Sequence, residues 1–140
     1  MRMKGNSIRM KTKKTKVMII DDEKVFLEEL KETLKLSGYK TITFSDGTKA
    51  LENVIKHKPD VILLDLKMEG KNGFQVADEL RKKEETSGIP IIAMTGYYLT
   101  DSYEYIRKMY GLDECLIKPF NPLDVITKIE LLGNKGKTKS

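Results

Sequence analysis

Val61-Ile62-Leu63-Leu64-Asp65-Leu66-Lys67 is the stretch on which the fold turns: four apolar residues run into one carboxylate and then into a loop containing Gly70 and Gly73. A short branched apolar run bounded by turn signals reads as a strand buried on both faces, which in an α/β protein is a central parallel strand. Asp65 then stands where that strand ends. In open α/β sheets the ligand crevice lies outside the carboxyl ends of the strands, so a carboxylate there faces a site rather than a core. Taken alone, Asp65 could equally open a turn. The flanking stretches decide between the two.

On the amino side, Lys16-Val17-Met18-Ile19-Ile20 reads as a first strand that ends in Asp21-Asp22-Glu23. From Lys24 to Ser37 the residues Val25, Phe26, Leu27, Leu30, Leu34 and Leu36 recur mostly at helical spacing, and Gly38 is a C-terminal cap. Thr41-Ile42-Thr43-Phe44 alternates as a second strand, and Asp46 is expected to cap a helix through about Lys56 that buries Ala50, Leu51, Val54 and Ile55. Residues 60–64 form the third strand. His57, the single histidine, lies near that helix end, where it suits the dipole and has no second histidine to build a metal or relay site. It is read as structural.

On the carboxyl side, Asn72 is expected to cap a helix over about Gly73–Glu85, with Phe74, Val76, Ala77 and Leu80 toward the sheet. Ile89-Pro90-Ile91-Ile92-Ala93-Met94 is a fourth strand, its proline near the first position, ending in Thr95-Gly96. Thr100 or Asp101 would cap a helix to about Tyr110, thin in apolar residues and so the least firmly held. Residues 113–117 form a fifth strand running into Lys118-Pro119-Phe120, and Asn121-Pro122 starts a last helix through about Leu132, closed by Gly133 and lysines. Five strands alternating with five helices call for a parallel sheet with right-handed crossovers and helices on both faces. The fold class is therefore α/β, a doubly wound (βα)5 three-layer sandwich of flavodoxin-like type. By analogy its strand order is 2-1-3-4-5, with the switch point between strands 1 and 3. Asp21, Asp22 and Asp65 then share one crevice, reached by Thr95 and Lys118 from strands 4 and 5.

The 140 residues suit one domain. No run approaches the ~18 apolar residues of a membrane span and the amino end lacks a signal-peptide core, so a cytoplasmic protein without membrane insertion is expected. Cys115 is the single cysteine, which excludes an intrachain disulfide and a cysteine-cluster metal site. Ten of the 26 basic residues lie in 1–16 and 134–140, which hold no acid; the 16 that remain face 21 acids in 17–133, a net of −5. The basic ends, 1–15 and 134–140, are read as solvated tails around a body of 16–133. They carry no aromatic residue for base stacking, so nucleic acid is not the expected partner.

Clustered carboxylates repel, and without a cation at least one should hold a proton well above its free pKa. A hard divalent cation resolves the conflict, and carboxylate, carbonyl and water ligands select Mg²⁺ or Mn²⁺. Lys118 is a compact cation suited to a phosphate oxygen, Thr95 offers a hydroxyl and Gly96 an open backbone N–H. Nucleophilic carboxylate, metal, lysine and hydroxyl together describe phosphoryl transfer to Asp65, giving an acyl phosphate.

These pieces resemble the response-regulator receiver domain, the CheY-like module of two-component signalling. The likeness rests on Val17–Glu23, on Val61–Met68 with Gly73-Phe74, on Ala93–Gly96 and on Lys118-Pro119-Phe120, four motifs in order within about residues 15–133. It implies that Asp65 is the phosphoacceptor, supplied by a histidine kinase, a phosphotransfer protein or a small donor such as acetyl phosphate. It further implies that Asp22 binds Mg²⁺ directly, Asp21 through water, and the backbone carbonyl of Lys67 completes the protein ligands with Asp65. Thr95 would hydrogen-bond the phosphoryl group, Lys118 would pair with it, and the Lys118–Pro119 peptide would be cis. Such a domain signals through an unidentified partner and catalyses only its own phosphorylation and dephosphorylation, rather than acting as an enzyme.

Two positions depart from the pattern. Cys115 stands where the family usually has the aromatic switch residue, and is read as a small thiol that packs there. Glu69 stands where proline is common, which leaves the loop after Asp65 less restricted. Lys67 and Tyr97 flank the expected phosphoryl group. A receiver-like module that binds without being phosphorylated is one alternative. Another is a haloacid-dehalogenase-type phosphatase, which also uses a strand-end aspartate but normally has a second aspartate where Lys67 stands. With no domain after Leu132, a stand-alone receiver is the expectation.

Overall fold

Along a parallel strand successive side chains point to opposite faces, so a strand that is apolar at every position needs cover on both sides. The computed structural model, which describes residues 15–96 and 103–139, supplies that cover. Strands β1 (Lys16–Ile20), β2 (Lys40–Phe44), β3 (Val61–Asp65), β4 (Ile91–Thr95) and β5 (Glu114–Ile117) alternate with helices α1 (Lys24–Leu36), α2 (Ala50–His57), α3 (Gly73–Lys82), α4 (Tyr103–Tyr110) and α5 (Pro122–Lys139). The sheet order is β2-β1-β3-β4-β5 and every pairing is parallel. This is the 2-1-3-4-5 order expected from the sequence.

Two cores follow from the two faces. Val17, Ile19, Leu63, Ile92 and Met94 pack against Leu27, Leu30 and Leu34 of α1 and Val125 and Ile129 of α5. Met18, Ile20, Ile62, Leu64 and Ala93 pack on the other side against Ala50 and Val54 of α2 and Val76, Ala77 and Leu80 of α3. Burying each such side chain contributes roughly 1.5–3 kcal/mol relative to leaving it exposed. Helix α4 is the exception: no side chain from Glu104 to Tyr110 is buried, and Tyr105 and Met109 are exposed. Its anchor is Tyr110, whose ring lies 4.8 Å from that of Phe74.

Several boundaries differ from the sequence reading, each for a local reason. Asp46 does not cap α2. Its carboxylate accepts the N–H of Thr48 at 2.9 Å and closes a turn at buried Gly47, whose site leaves no room beside Val76, and the helix begins later at Ala50. Helix α3 carries the expected Asn72 cap, reinforced by a reciprocal bond from Gln75, but ends at Lys82 rather than near Glu85. There the buried Thr86 hydroxyl donates to Leu80 O at 2.6 Å and folds the chain back. Strand β3 includes Asp65, whose register partner is Met94, while Asp60 lies before it and accepts the Lys16 N–H at 2.7 Å. Strand β4 begins after Pro90, and β5 after Asp113.

The last helix, which Asn121 caps through the Leu123 N–H at 2.9 Å, passes Gly133 and runs to Lys139. Gly133 does not take the left-handed conformation that stops α1 at Gly38, with φ of 97°. A glycine inside a helix costs only about 1 kcal/mol, and lysines beyond it suit the negative end of the dipole. Residues 1–14, which make up nearly all of the expected amino-terminal tail, lie outside the described residues, as do Tyr97 and the expected α4 caps Thr100 and Asp101.

One close approach holds the site loop. A Cβ on Gly73 would fall 2.3 Å from the Asp65 carbonyl oxygen and 2.7 Å from Leu66 Cα. Gly73→Ala is therefore expected to lower stability by about 2–3 kcal/mol, seen as a reduced urea midpoint with unchanged slope. Gly88→Ala, where an added Cβ meets nothing within 4 Å, should stay within about 0.5 kcal/mol of the parent.

Candidate functional site

Four parallel strands deliver their carboxyl ends to one rim of the sheet. The register places Ile20 beside Leu64 and Asp65 beside Met94, so Asp21 and Asp22 leave β1 next to Asp65, and Thr95 ends β4 one residue further on. Thr95 O accepts the Lys118 N–H at 2.7 Å, which ties the start of the Lys118 loop to β4. The Lys118–Pro119 peptide is cis. Asp21 and Lys118, 97 positions apart, thereby meet in one crevice.

The carboxylates of Asp21, Asp22 and Asp65 each present an oxygen within 4.8 Å of the other two. Asp21 and Asp65 are buried, at 0% and 4% exposure, and Thr95 is buried with them. Asp22 is exposed, and its Oδ2 accepts the Glu69 N–H at 3.2 Å. Asp21 Oδ1 accepts the Glu23 N–H at 2.9 Å, and Asp65 Oδ1 accepts the Lys67 N–H at 3.1 Å. Lys118 brings an ammonium to these groups. Its Nζ lies 2.7 Å from Asp21 Oδ2, 3.0 Å from Glu23 Oε1 and 3.9 Å from Asp65 Oδ2.

Electrostatics follow from this arrangement. Burial, and then the charge of Asp21, push the Asp65 carboxyl up from 3.8 to about 6, against the opposing pull of Lys118 and the Lys67 N–H. For Lys118, burial pushes the ammonium down, but its hydrogen bonds to Asp21 and Glu23 and the charges of Asp21 and Asp65 outweigh that, so its pKa lies above the ordinary lysine value. Three hard oxygen donors crowded beside one lysine could hold a metal ion, the donor chemistry of a hard divalent cation.

Two participants were not singled out by sequence reasoning. Glu23 shares the Lys118 ammonium, and the Phe26 ring lies beneath it with its centroid 4.2 Å from Nζ. Phe26 also meets Phe120 edge to face at 5.6 Å. The signals were present: Glu23 directly follows the acid pair, and Phe26 follows one helical turn later. Cys115 lies half-buried beside Ala93 in register, packed against the core cluster of α2 and α3, and burial pushes its thiol up to about 11. It is a neutral packing group at neutral pH. His57 gives its carbonyl to the Lys16 ammonium at 2.7 Å, and its ring meets that of Phe44.

A family model described as the response regulator receiver domain matches residues 17–130. The chain belongs to this family. Among curated proteins, the DNA-binding response regulator MtrA of Mycobacterium tuberculosis is 33% identical over 121 residues, covering 86% of this chain and 51% of that protein. The MtrA of Mycolicibacterium smegmatis is 32% identical over the same shares. The chain thus spans about half the length of the curated relatives it matches. Among solved structures, the Vibrio cholerae chemotaxis protein CheY4 aligns with a TM-score of 0.78 at 28% identity, covering 84% of this chain and 98% of that one. The receiver domain of the Francisella response regulator 1452 aligns with a TM-score of 0.79 at 27% identity over 87% and 98%. Receiver domains are signalling domains and generally not classical enzymes. Among the described residues no helix is long and apolar enough to cross a membrane.

The raised Asp65 pKa sets a stability prediction. With its folded pKa above the unfolded one, the folded state binds more protons between pH 3.8 and about 6, and the contribution of Asp65 to stability falls as pH rises through that window. Without divalent cations, Asp65→Asn is expected to be more stable than the parent at pH 7.5 by roughly 1–3 kcal/mol. Thermal melts should show the gap shrinking as pH is lowered to 5.

Proposed function

We propose that this receiver accepts a phosphoryl group on Asp65 and signals by changing its affinity for a protein partner. The observation that supports it most directly is a buried strand-end carboxylate grouped with Asp21 and Asp22 and with the Lys118 ammonium 3.9 Å away. In the transfer, an Asp65 oxygen forms the new P–O bond as the bond from phosphorus to its donor breaks. With a histidine kinase or phosphotransfer protein the leaving group is an imidazole nitrogen; with acetyl phosphate it is acetate. Lys118 pairs with the incoming phosphoryl oxygens, the Thr95 hydroxyl donates to one of them, and burial of Asp65 excludes bulk water from the acyl phosphate.

Asp21, Asp22, Asp65 and the backbone carbonyl of Lys67 would hold Mg²⁺, or Mn²⁺, which when bound supplies positive charge to offset that of the carboxylates and the phosphoryl oxygens. Neutralising three acids is also what keeps Asp65 ionised as a nucleophile near neutral pH. The site needs no added catalytic group, since positioning and electrostatics carry phosphoryl transfer. A cytoplasmic location matches a kinase donor of this kind. DNA binding belongs to the MtrA relatives by name, and this chain matches about half of their length. The partner read by this receiver is proposed to be a protein rather than nucleic acid, since the basic stretches 1–16 and 134–140 carry no aromatic residue for base stacking.

Incubation with acetyl phosphate and Mg²⁺ is expected to add one phosphoryl group by intact-mass spectrometry. Asp65→Asn should abolish the adduct entirely, and chelation of the cation should suppress it by at least about tenfold. No adduct with acetyl phosphate or a phosphorylated phosphotransfer protein would leave the chain as a receiver-like module that binds without being modified.

A further inference from the structure

Glu23 occupies the N-cap of α1, with φ of −85° and ψ of 98°, yet its side chain makes no hydrogen bond to its own helix. Instead it crosses to a residue 95 positions away: Glu23 Oε1 accepts from Lys118 Nζ at 3.0 Å. The ammonium has three protons to donate. One goes to Asp21 at 2.7 Å and one to Glu23, which leaves Asp65 at 3.9 Å, beyond hydrogen-bond reach. The Phe26 ring, 4.2 Å from Nζ, lines the same side of the ammonium as α1. Lys118 is nearly buried, at 13% side-chain exposure, whereas Glu23 is 65% exposed.

We propose that Glu23 is a positioning residue that holds Lys118 in reserve, and that a phosphoryl group on Asp65 must win the ammonium away from it. The inference rests on the proposed phosphorylation of Asp65 and adds a regulatory contact to that site. Of the two carboxylates that hold Lys118, Asp21 is enclosed and Glu23 faces water, so the Glu23 contact is the cheaper one to release. A phosphoryl group carries a larger charge and more acceptor oxygens than a carboxylate, and the long lysine stem lets the ammonium swing toward it. Glu23 thereby competes with the phosphoryl group for the same cation and sets how readily the modified state forms.

Two substitutions separate this contact from the general field of the acid cluster. Glu23→Gln removes the charge. Glu23→Asp keeps it but shortens the arm by one methylene, and an aspartate at an N-cap turns readily to its own helix N–H groups. At saturating Mg²⁺, both variants are expected to bind beryllofluoride more tightly than the parent, by about two- to fivefold, the scale of an exposed ion pair. In titrations with Mg²⁺ alone, Glu23→Gln should bind more weakly and Glu23→Asp like the parent. Unchanged or weaker beryllofluoride binding in both variants, with the parent binding normally, overturns the assignment of Glu23 alone. A parent that binds no beryllofluoride at saturating Mg²⁺ overturns the phosphoacceptor reading and this proposal together.

Discussion

Asp21 and Asp65 are buried side by side with the Lys118 ammonium bonded to Asp21 alone of the two, and the rest of the structure can be understood as what makes that arrangement tolerable. Two enclosed carboxylates repel and lose hydration, a cost that neither hydrophobic packing nor a lone lysine removes. The molecule answers with backbone donors: Glu23 N–H to Asp21 and Lys67 N–H to Asp65, each from the residue two positions on. What remains uncompensated appears as the raised Asp65 pKa. Added positive charge would relieve what remains of the conflict, and the three acids could hold a metal ion.

The scaffold bears that cost because it is rigid where the site is built. Strands β1, β3 and β4 are buried almost throughout and supply the two cores, so the strand ends cannot drift apart without exposing apolar surface. Gly73 lets α3 start directly against the Asp65 carbonyl, which fixes the loop carrying Lys67 and Glu69. By contrast α4 buries none of its described side chains. Packing is thus firm under the acids and loose along α4, and the loosely packed helix is the part of the fold that opens most easily.

Much of this was legible in the chain itself. The strands could be read because each is a short apolar run ending in a polar residue, and the strand order was available only by analogy with other doubly wound sheets. The ends of elements were less readable, because local contacts set them. Asp46 looked like a cap for α2 but closes a turn at Gly47, which is crowded by Val76 of a distant helix. Gly133 looked like the end of α5, yet only a left-handed backbone makes a glycine a stop, and that conformation is not adopted there. Glu23 directly follows the acid pair in the chain, but only the packed structure brings the Lys118 ammonium to its carboxylate.

By itself, the sequence determined which residue types reach the rim, since hydrophobic periodicity dictates where each strand begins and which residue ends it. It also determined that the acids would be in conflict, because their number and placement follow from that same pattern. Only the tertiary structure decided how the conflict is shared: which carboxylate is sealed, which faces water, and which two of three acids hold the lysine. Those outcomes depend on ångström-scale distances between groups up to 97 positions apart, and charge interactions at such range in the chain are set by packing rather than by local order.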